Sequence, residues 1–259
     1  MKIIIPAAGP IAPGYGFPRN PKPVCLHHYK GEIILERQIR LFQSARISDI
    51  RIVIGYRKEL IENFIREKGL KVELAENPDA AKDIYVGAGW PTFLVSLRKG
   101  LEGVDDDVII IMSDIYLTHE GLKTLLVDKH KCAVLRDNHG AHVFKIAREF
   151  IPKLRQLTGK GHNRRLTNFC KEQGGIILYT KEHDVDVYRQ TDEGMKWATT
   201  HLGIAWAHWC GLSLNDKKQL IHSKNTKFEV YYDEVLIKID GYFGDGKNFD
   251  VYGVESEVT

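Results

Sequence analysis

The residues with the clearest chemical potential lie near the N-terminus, in a loop rich in proline and glycine. The segment from Pro10 to Pro23 holds five prolines and two glycines but only two charged side chains, Arg19 and Lys22. Proline fixes φ and removes a backbone donor, so this segment is neither a regular helix nor a central strand. Two cations in such a loop favour an anionic ligand, most simply a phosphate. The alternative is an ordinary loop in which Lys22 is solvated.

The residues before this loop indicate how an anion would be held. The chain opens with a short apolar, β-branched run typical of a buried first strand, and Ala7, Ala8 and Gly9 follow it. No large side chain stands here, so the backbone can pass close to a ligand. Backbone N–H groups and the two cations would then gather phosphate oxygens, with Lys22 acting as a point charge.

A carboxylate follows the strongest strand signal of the chain. The apolar run Val108–Met112 predicts a buried strand, and Asp114 stands where it ends. The carboxyl end of a central parallel strand borders the ligand crevice of an α/β fold. A buried carboxylate without a partner is costly, so a divalent cation is the expected partner. The alternative is a helix N-cap or an ordinary loop carboxylate.

Strand and helix signals alternate along the chain, which predicts an α/β fold with a mostly parallel, doubly wound sheet. Strands are predicted at Ile50–Ile54, Lys71–Leu74, Val108–Met112, Cys132–Leu135 and Ala141–Lys145, with helices at Arg57–Lys68, at Thr92–Lys99 and after Thr118. Further along, the sequence predicts a basic loop at Gly159–Arg165 and a helix at Asp186–His208.

Composition limits the classes of protein to which the chain can belong. Its 259 residues are 43% hydrophobic and 27% charged, enough to bury a sizeable core in one large domain or in one domain with a lobe. A net charge of +3 is too small to indicate a basic surface for nucleic-acid binding. No apolar run approaches membrane-spanning length. The four cysteines are scattered, and no leader precedes the first strand. We therefore expect a cytoplasmic protein that binds neither nucleic acid nor membrane, with its oligomeric state open.

Together, Pro6-Ala-Ala-Gly9 and Pro21-Lys-Pro23 resemble the signature of the nucleotidyltransferases that join a nucleoside monophosphate to a sugar phosphate or to an alcohol or amino-alcohol phosphate. The likeness continues through Gly31–Arg40, Ile52–Tyr56, Met112–Asp114 and Asn248–Asp250, whereas residues 136–225 match no recognised pattern.

One position departs from the pattern of that family. The family's loop arginine is expected about four residues after Ala-Ala-Gly, where this chain has Pro13. Arg19 is the only arginine of the loop. Either Arg19 replaces the family residue, or the triphosphate is held differently.

The resemblance implies a Rossmann-like, three-layer α/β sandwich of the glycosyltransferase-A type. Residues 1–259 would form a single nucleotidyltransferase domain, with a nucleotide-binding half at 1–135. Residues 136–259 would form an acceptor-binding half with a C-terminal metal-ligand segment. Lys22 and Arg19 would be catalytic, and Ala7, Ala8 and Gly9 would bind the nucleotide.

The resemblance also implies Mg²⁺ as cofactor, held by Asp114 and Asp250. Rival carboxylates to the second ligand stand nearby at Asp233, Asp240 and Asp245. Gly89 would let the nucleoside base approach the backbone, although the turn around it is equally consistent with a helix cap.

Aromatic residues are concentrated in the second half of the chain, at Trp197, Trp206, Trp209, Tyr231 and Tyr232. Such rings can enclose a cationic acceptor head group through cation–π attraction of about 1–2 kcal/mol each when desolvated. Trp209 and Tyr232 are the candidates for this acceptor site. An aromatic stripe that simply belongs to the core is the alternative.

The expected activity is transfer of a nucleoside monophosphate from a nucleoside triphosphate to a small phosphate or phosphonate acceptor, with release of pyrophosphate. The short chain and the Leu35-Glu-Arg-Gln38 helix most resemble the choline-phosphate and aminoalkylphosphonate cytidylyltransferase branch, which favours CTP.

Three alternatives remain open from the sequence. One is a sugar-1-phosphate nucleotidyltransferase using UTP, GTP or dTTP. The second is a glycosyltransferase of the same fold, although Ser113–Tyr116 lacks the expected Asp-x-Asp. The third is a module that binds nucleotide without releasing pyrophosphate.

Overall fold

The computed structural model describes residues 1–9, 23–81, 92–136, 141–158, 162–180, 184–187, 226–232, 235–242 and 250–258. The chain divides into two compact units. The first comprises Met1–Pro10 and Pro21–Tyr188, and the second comprises Ile11–Asn20 and Arg189–Thr259. The division into nucleotide-binding and acceptor-binding halves concerns ligands, so it remains a prediction.

The first unit contains eleven strands among its described residues: β1 Lys2–Pro6, β2 His28–Tyr29, β3 Glu32–Ile33, β4 Ile50–Ile54, β5 Glu73–Glu76, β6 Val108–Ile111, β7 Ile115–Leu117, β8 Cys132–Arg136, β9 Ala141–Ile146, β10 Ile176–Tyr179 and β11 Val185–Val187. Seven of them form one sheet in the order β10-β8-β9-β6-β1-β4-β5, while β2 pairs with β3 and β7 pairs with β11.

Most neighbours in the seven-stranded sheet run parallel. β1 pairs in parallel with both β4 and β6, β4 with β5, and β8 with β10. Only β9, within this sheet, runs antiparallel to its neighbours β6 and β8. The predicted mostly parallel α/β sheet is therefore confirmed.

Helices cover both sides of this sheet. They are α1 Ile34–Ser44, α2 Lys58–Glu67, α3 Thr92–Gly100, α4 His119–Val127, α5 Ile151–Arg155 and α6 His162–Glu172. Because helices cover both faces, the central strands are mostly apolar, and every residue of β6 is apolar and fully buried. The three-layer architecture follows from this burial.

The order of strands reverses at β1. The chain proceeds from β1 through α1 to β4 and through α2 to β5, and α3 then returns it to β6 on the other side of β1. Ligands of open α/β sheets bind outside the carboxyl ends of the strands at such a reversal. Here those ends carry Ala7–Gly9 after β1 and Met112–Asp114 after β6.

Three predicted elements differ from the structure by more than one residue at an end. The third strand, predicted at Lys71–Leu74, lies at Glu73–Glu76, because the parallel register with β4 pairs Arg51 with Glu73. This strand is at the edge of the sheet and mostly exposed, so its hydrophobic pattern is weak.

The other two differences lie later in the chain. The predicted basic loop Gly159–Arg165 runs into α6, which begins at His162 and exposes Arg164 and Arg165 on its solvent side. The helix predicted from Asp186 is wrong at its start, because Val185–Val187 form β11 against β7. The remainder of that prediction lies outside the described residues.

The second unit contains a three-stranded antiparallel sheet of β12 Thr226–Tyr232, β13 Val235–Tyr242 and β14 Asp250–Val258. Asp250 opens β14 and pairs with Tyr242, and Tyr232 ends β12 opposite Val235. The described residues include no helix long and apolar enough to cross a membrane.

Gly55, which follows β4, lies in close contact with the turn after β1. A Cβ atom built on Gly55 would lie 2.8 Å from the Ala80 Cβ, 2.8 Å from the Asn77 carbonyl oxygen and 2.9 Å from the Ala8 carbonyl oxygen. Two of these neighbours are backbone atoms, which cannot rotate away. Any side chain at residue 55 must therefore displace the backbone of Ala8 or Asn77.

We expect Gly55→Ala to lower the free energy of unfolding by about 1–3 kcal/mol, the usual effect of overpacking a closely packed position. Urea unfolding measures this change. Gly9→Ala is the matched control, because a Cβ on Gly9 would meet no described atom within 4 Å. Equal midpoints for both variants would contradict the close packing at Gly55.

Candidate active site

The turn after β1 is fixed to the neighbouring strand by backbone hydrogen bonds. The Ala7 N–H donates to the Val53 carbonyl at 2.8 Å, and the Tyr56 N–H donates to the Ala8 carbonyl at 2.8 Å. Ala7 and Ala8 are buried, whereas Gly9 is exposed. The three residues predicted to bind nucleotide thus form an anchored turn that opens to its surroundings at Gly9.

Asp114 occupies a β-turn directly after β6. The Ile115 N–H donates to the Met112 carbonyl at 3.2 Å, which leaves Ser113 and Asp114 at the two central positions. The Met112 N–H donates in turn to the His142 carbonyl at 3.3 Å. Asp114 is only 6% exposed, so the carboxylate is held in a fixed and largely desolvated turn.

Parallel pairing brings this turn beside the Ala7–Gly9 turn. Ile4 of β1 is paired with Ile110 of β6, so both turns leave the same edge of the sheet from adjacent strands. A small-residue turn and a buried carboxylate are therefore neighbours. This arrangement suits a ligand with phosphate groups that needs both close backbone approach and a carboxylate-bound cation.

The chain that leaves the proline-rich loop also passes beside Asp114. A short 3₁₀ turn at Val24–Leu26 is buried and follows Pro23. Burial, with a smaller contribution from the negative charge of Asp114, raises the pKa of the Cys25 thiol to about 12. Cys25 is therefore uncharged at neutral pH and adds no second negative charge beside Asp114.

Gln38 of α1, which the sequence analysis did not identify as functional, contacts the Asp114 turn. Its Nε2 donates to the Met112 carbonyl at 2.9 Å and to the Ile115 carbonyl at 2.7 Å. A sequence signal for this contact exists, because Gln38 interrupts the apolar face of α1. That signal alone does not reveal the partner, which is distant along the chain.

Asn77 is a second buried polar residue that the sequence analysis missed. It follows β5 at the same edge of the sheet, and its Nδ2 donates to the Ser96 Oγ of α3 at 2.9 Å. Its Oδ1 accepts from the Asp79 N–H at 3.2 Å. These bonds fix the chain just before the segment that contains Gly89.

The described residues include an aromatic cation site that differs from the predicted one. The Lys30 Nζ lies 5.2 Å from the Tyr29 ring centroid, 5.1 Å from that of Tyr116 and 2.6 Å from the Asp186 Oδ2. The Tyr29 hydroxyl also donates to Asp186 at 3.1 Å. The protein's own lysine thus fills this site and links the β2–β3 hairpin to β11.

Several predicted site residues lie outside the described residues, namely Arg19, Lys22, Gly89 and Trp209. For Asp250 and Tyr232, the structure describes the backbone but not the side chain. The predicted roles of these six residues remain predictions.

The donor chemistry at Asp114 fits a hard cation that keeps most of its water. Among the described residues, no group of three or more His, Cys, Asp or Glu side chains is arranged to hold a metal. Mg²⁺ needs no such cage, because it commonly binds one or two carboxylates together with substrate phosphates and water. Asp114 therefore suits one ligand of a magnesium site that substrate helps to complete.

Comparison with solved structures relates the fold to nucleotidyltransferases. The CTP:phosphocholine cytidylyltransferase LicC of Streptococcus pneumoniae superimposes with a TM-score of 0.54 at 16% identity, covering 76% of this chain and 96% of that one. A protein from Bacillus anthracis assigned as a glucose-1-phosphate thymidylyltransferase gives a TM-score of 0.54 at 13% identity, covering 76% and 93%.

A nucleotidyl transferase from Methanothermobacter thermautotrophicus gives a TM-score of 0.53 at 15% identity, covering 70% of this chain and 87% of that one. Likeness at such low identity demonstrates the fold. Among curated proteins, no sequence matches this chain significantly.

The sequence itself carries the family assignment. The family model of the MobA-like NTP transferase domain matches residues 18–175, which is more than half of the chain. That range includes Lys22, Gln38 and Asp114. The chain therefore belongs to the MobA-like NTP transferase family and is a nucleotidyltransferase.

Proposed function

We propose that the protein transfers a cytidine monophosphate group from CTP to a small phosphate or phosphonate acceptor in a Mg²⁺-dependent reaction. The observation that carries this proposal is the Asp114 carboxylate, held in a buried turn beside the Ala7–Gly9 turn. A triphosphate needs both features, because its oxygens bind backbone donors and its metal binds a carboxylate.

The reaction requires no proton transfer. An anionic oxygen of the acceptor attacks the α-phosphorus of CTP in line, and a new P–O bond forms. The bond between the α-phosphorus and the bridging oxygen to the β-phosphate breaks, and pyrophosphate leaves with that electron pair. Since the nucleophile is already an anion, catalysis consists of positioning and charge stabilisation.

Each proposed residue has one task. Asp114 and Asp250 hold Mg²⁺, which neutralises charge on the reacting phosphates. Lys22 and Arg19 stabilise the transferring and leaving phosphates, and the backbone of Ala7, Ala8 and Gly9 lies along the triphosphate. Gly89 lets the base approach the backbone.

The proposed preference for CTP and for this acceptor class is argued from resemblance. It rests on the likeness of the Leu35–Gln38 helix to cytidylyltransferases and on the structural neighbour that acts on phosphocholine. The thymidylyltransferase neighbour has the same TM-score, which makes dTTP with a sugar phosphate the competing pair. Trp209 and Tyr232 are proposed to contact a cationic acceptor head group.

Pyrophosphate release decides between these pairs. CTP, UTP, GTP, ATP and dTTP are each tested with phosphocholine, 2-aminoethylphosphonate and glucose-1-phosphate, with and without Mg²⁺. We expect release with CTP and a phosphocholine- or phosphonate-type acceptor in the presence of Mg²⁺. Release only with dTTP or UTP and glucose-1-phosphate would replace the proposal with a sugar-1-phosphate nucleotidyltransferase.

We expect Asp114→Asn to abolish pyrophosphate release while the melting temperature without metal stays equal or rises. The carboxylate is desolvated, and neutral asparagine removes that penalty together with the metal ligand. Asp105→Asn is the matched control, because Asp105 is exposed at the opposite end of β6. Full activity of Asp114→Asn, or its unfolding, would contradict the assignment.

We expect Lys22→Ala to lower kcat by about 100-fold or more, because it removes a charge that stabilises the reacting phosphates. Steady-state kinetics at saturating acceptor measure the effect, and circular dichroism checks the fold. Lys123→Ala, a change at an exposed lysine of α4, serves as the control. Near-native turnover in Lys22→Ala would remove this lysine from the mechanism.

Arg19 is tested by two substitutions. If it replaces the family's loop arginine, Arg19→Ala raises the KM for the triphosphate and lowers kcat together. Arg19→Lys recovers only part, because a point charge does not reproduce the bidentate fork of a guanidinium. Wild-type kinetics in both variants would show that Arg19 is a solvated loop residue. Lys160, Arg164 and Arg165 would then be the next residues to test for triphosphate binding.

A further inference from the structure

Gln38 lies on the face of α1 that packs against the core. Its neighbours on that face are Ile34, Leu35, Ile39 and Phe42, all fully buried. Gln38 is itself 0% exposed, and the other buried residues of this helix are apolar. A buried amide on an apolar helix face has to be explained by what it binds.

What it binds is the turn that carries Asp114. Both hydrogen bonds of Nε2 go to backbone carbonyls, at 2.9 Å to Met112 and at 2.7 Å to Ile115. These two residues bracket Ser113 and Asp114. One amide group therefore holds both ends of the turn and attaches them to a helix.

The amide oxygen of Gln38 argues against the alternative that this residue merely fills space in the core. Within the part of the chain that the structure describes, the Gln38 Oε1 is buried and has no hydrogen-bond partner. An unsatisfied buried oxygen is unfavourable, whereas a methionine of similar length would fill the same space without this penalty. The benefit of glutamine at this position lies in the two donated bonds.

The turn also has backbone supports, and the hydrogen bond that closes it joins its two ends. The Ile115 N–H and the His142 carbonyl both bond to Met112. Among the described side chains, that of Gln38 donates hydrogen bonds to the carbonyls of both Met112 and Ile115. By fixing the peptide groups on either side of Ser113 and Asp114, these bonds limit the backbone positions open to Asp114 and so restrict where its carboxylate can lie.

We propose that Gln38 is a positioning residue, which orients the metal-binding carboxylate of Asp114 without contacting substrate. This inference rests on the proposed function, because it assumes that Asp114 binds a divalent cation. Partners that orient a metal ligand typically contribute about 10–100-fold to metal affinity or activity. An effect of that size is expected here.

The test uses Gln38→Met, which keeps the length of the side chain and removes both donors, and Gln38→Asn, which keeps the amide one methylene short. Mn²⁺ binding to the protein without nucleotide is measured by electron paramagnetic resonance. We expect both variants to raise the Kd for Mn²⁺ by about tenfold or more. Their kcat should fall by a similar factor, with the KM for CTP changed by no more than about twofold.

Gln43→Met is the matched control, because Gln43 is an exposed glutamine of the same helix. It should behave like wild type in all three measurements. Unchanged Mn²⁺ affinity in Gln38→Met and Gln38→Asn would overturn the inference, as would activity losses that follow only their melting temperatures.

The inference and the proposed function fail in different ways. Wild-type protein that binds Mn²⁺ but releases no pyrophosphate with any nucleotide and acceptor pair would refute the proposed function, and the Mn²⁺ data would still test Gln38. The inference would be refuted if wild-type protein bound no Mn²⁺, or if Asp114→Asn left its Mn²⁺ binding unchanged. In either case Asp114 would not be a metal ligand that Gln38 could orient.

Discussion

The parallel pairing of β1 with β6 is the constraint on which the candidate site depends. The two strands are not consecutive in sequence, since β4 and β5 intervene, yet they lie side by side with Ile4 opposite Ile110. Both strands are almost wholly buried, with helices on the two faces of the sheet, and their parallel backbone pairing holds this register. A slip of one residue would turn their side chains to the opposite faces of the sheet and separate Asp114 from the turn after β1.

Burial determines which side chains carry charge at the carboxyl edge of β1 and β6. Asp114 is nearly inaccessible, and the nearby Cys25 stays neutral because its pKa is raised. The site thus holds one described negative charge in a poorly solvated position, where a cation is stabilised more than in water. A cation bound there would offset the negative charge that a triphosphate brings.

The fold was predictable from the sequence where local pattern and burial agree. β4 was predicted with the bounds that the structure has, and β6 ends one residue before the predicted Met112. Both strands are almost entirely apolar, which makes their signal strong. β5 was placed two residues too early, since an edge strand carries little hydrophobic signal. β11 was missed because its pairing with β7 is tertiary information.

The site was predictable in the same unequal way. Ala7–Gly9 and Asp114 follow strong strands, so their place at the carboxyl edge could be inferred from sequence. Gly55 and Gln38 were not recognised, because their roles arise from contacts with Ala8 and with the Met112–Ile115 turn. Such contacts join segments far apart in sequence, and no spacing rule within one element reveals them.

A crystal structure with Mg²⁺ and a non-hydrolysable CTP analogue, such as the α,β-methylene compound, tests the central claim most directly. The account predicts the triphosphate along the Ala7–Gly9 turn, with a cation bridging the Asp114 carboxylate and the α-phosphate. A nucleotide bound away from the carboxyl ends of β1 and β6, or a cation that does not contact Asp114, would contradict it.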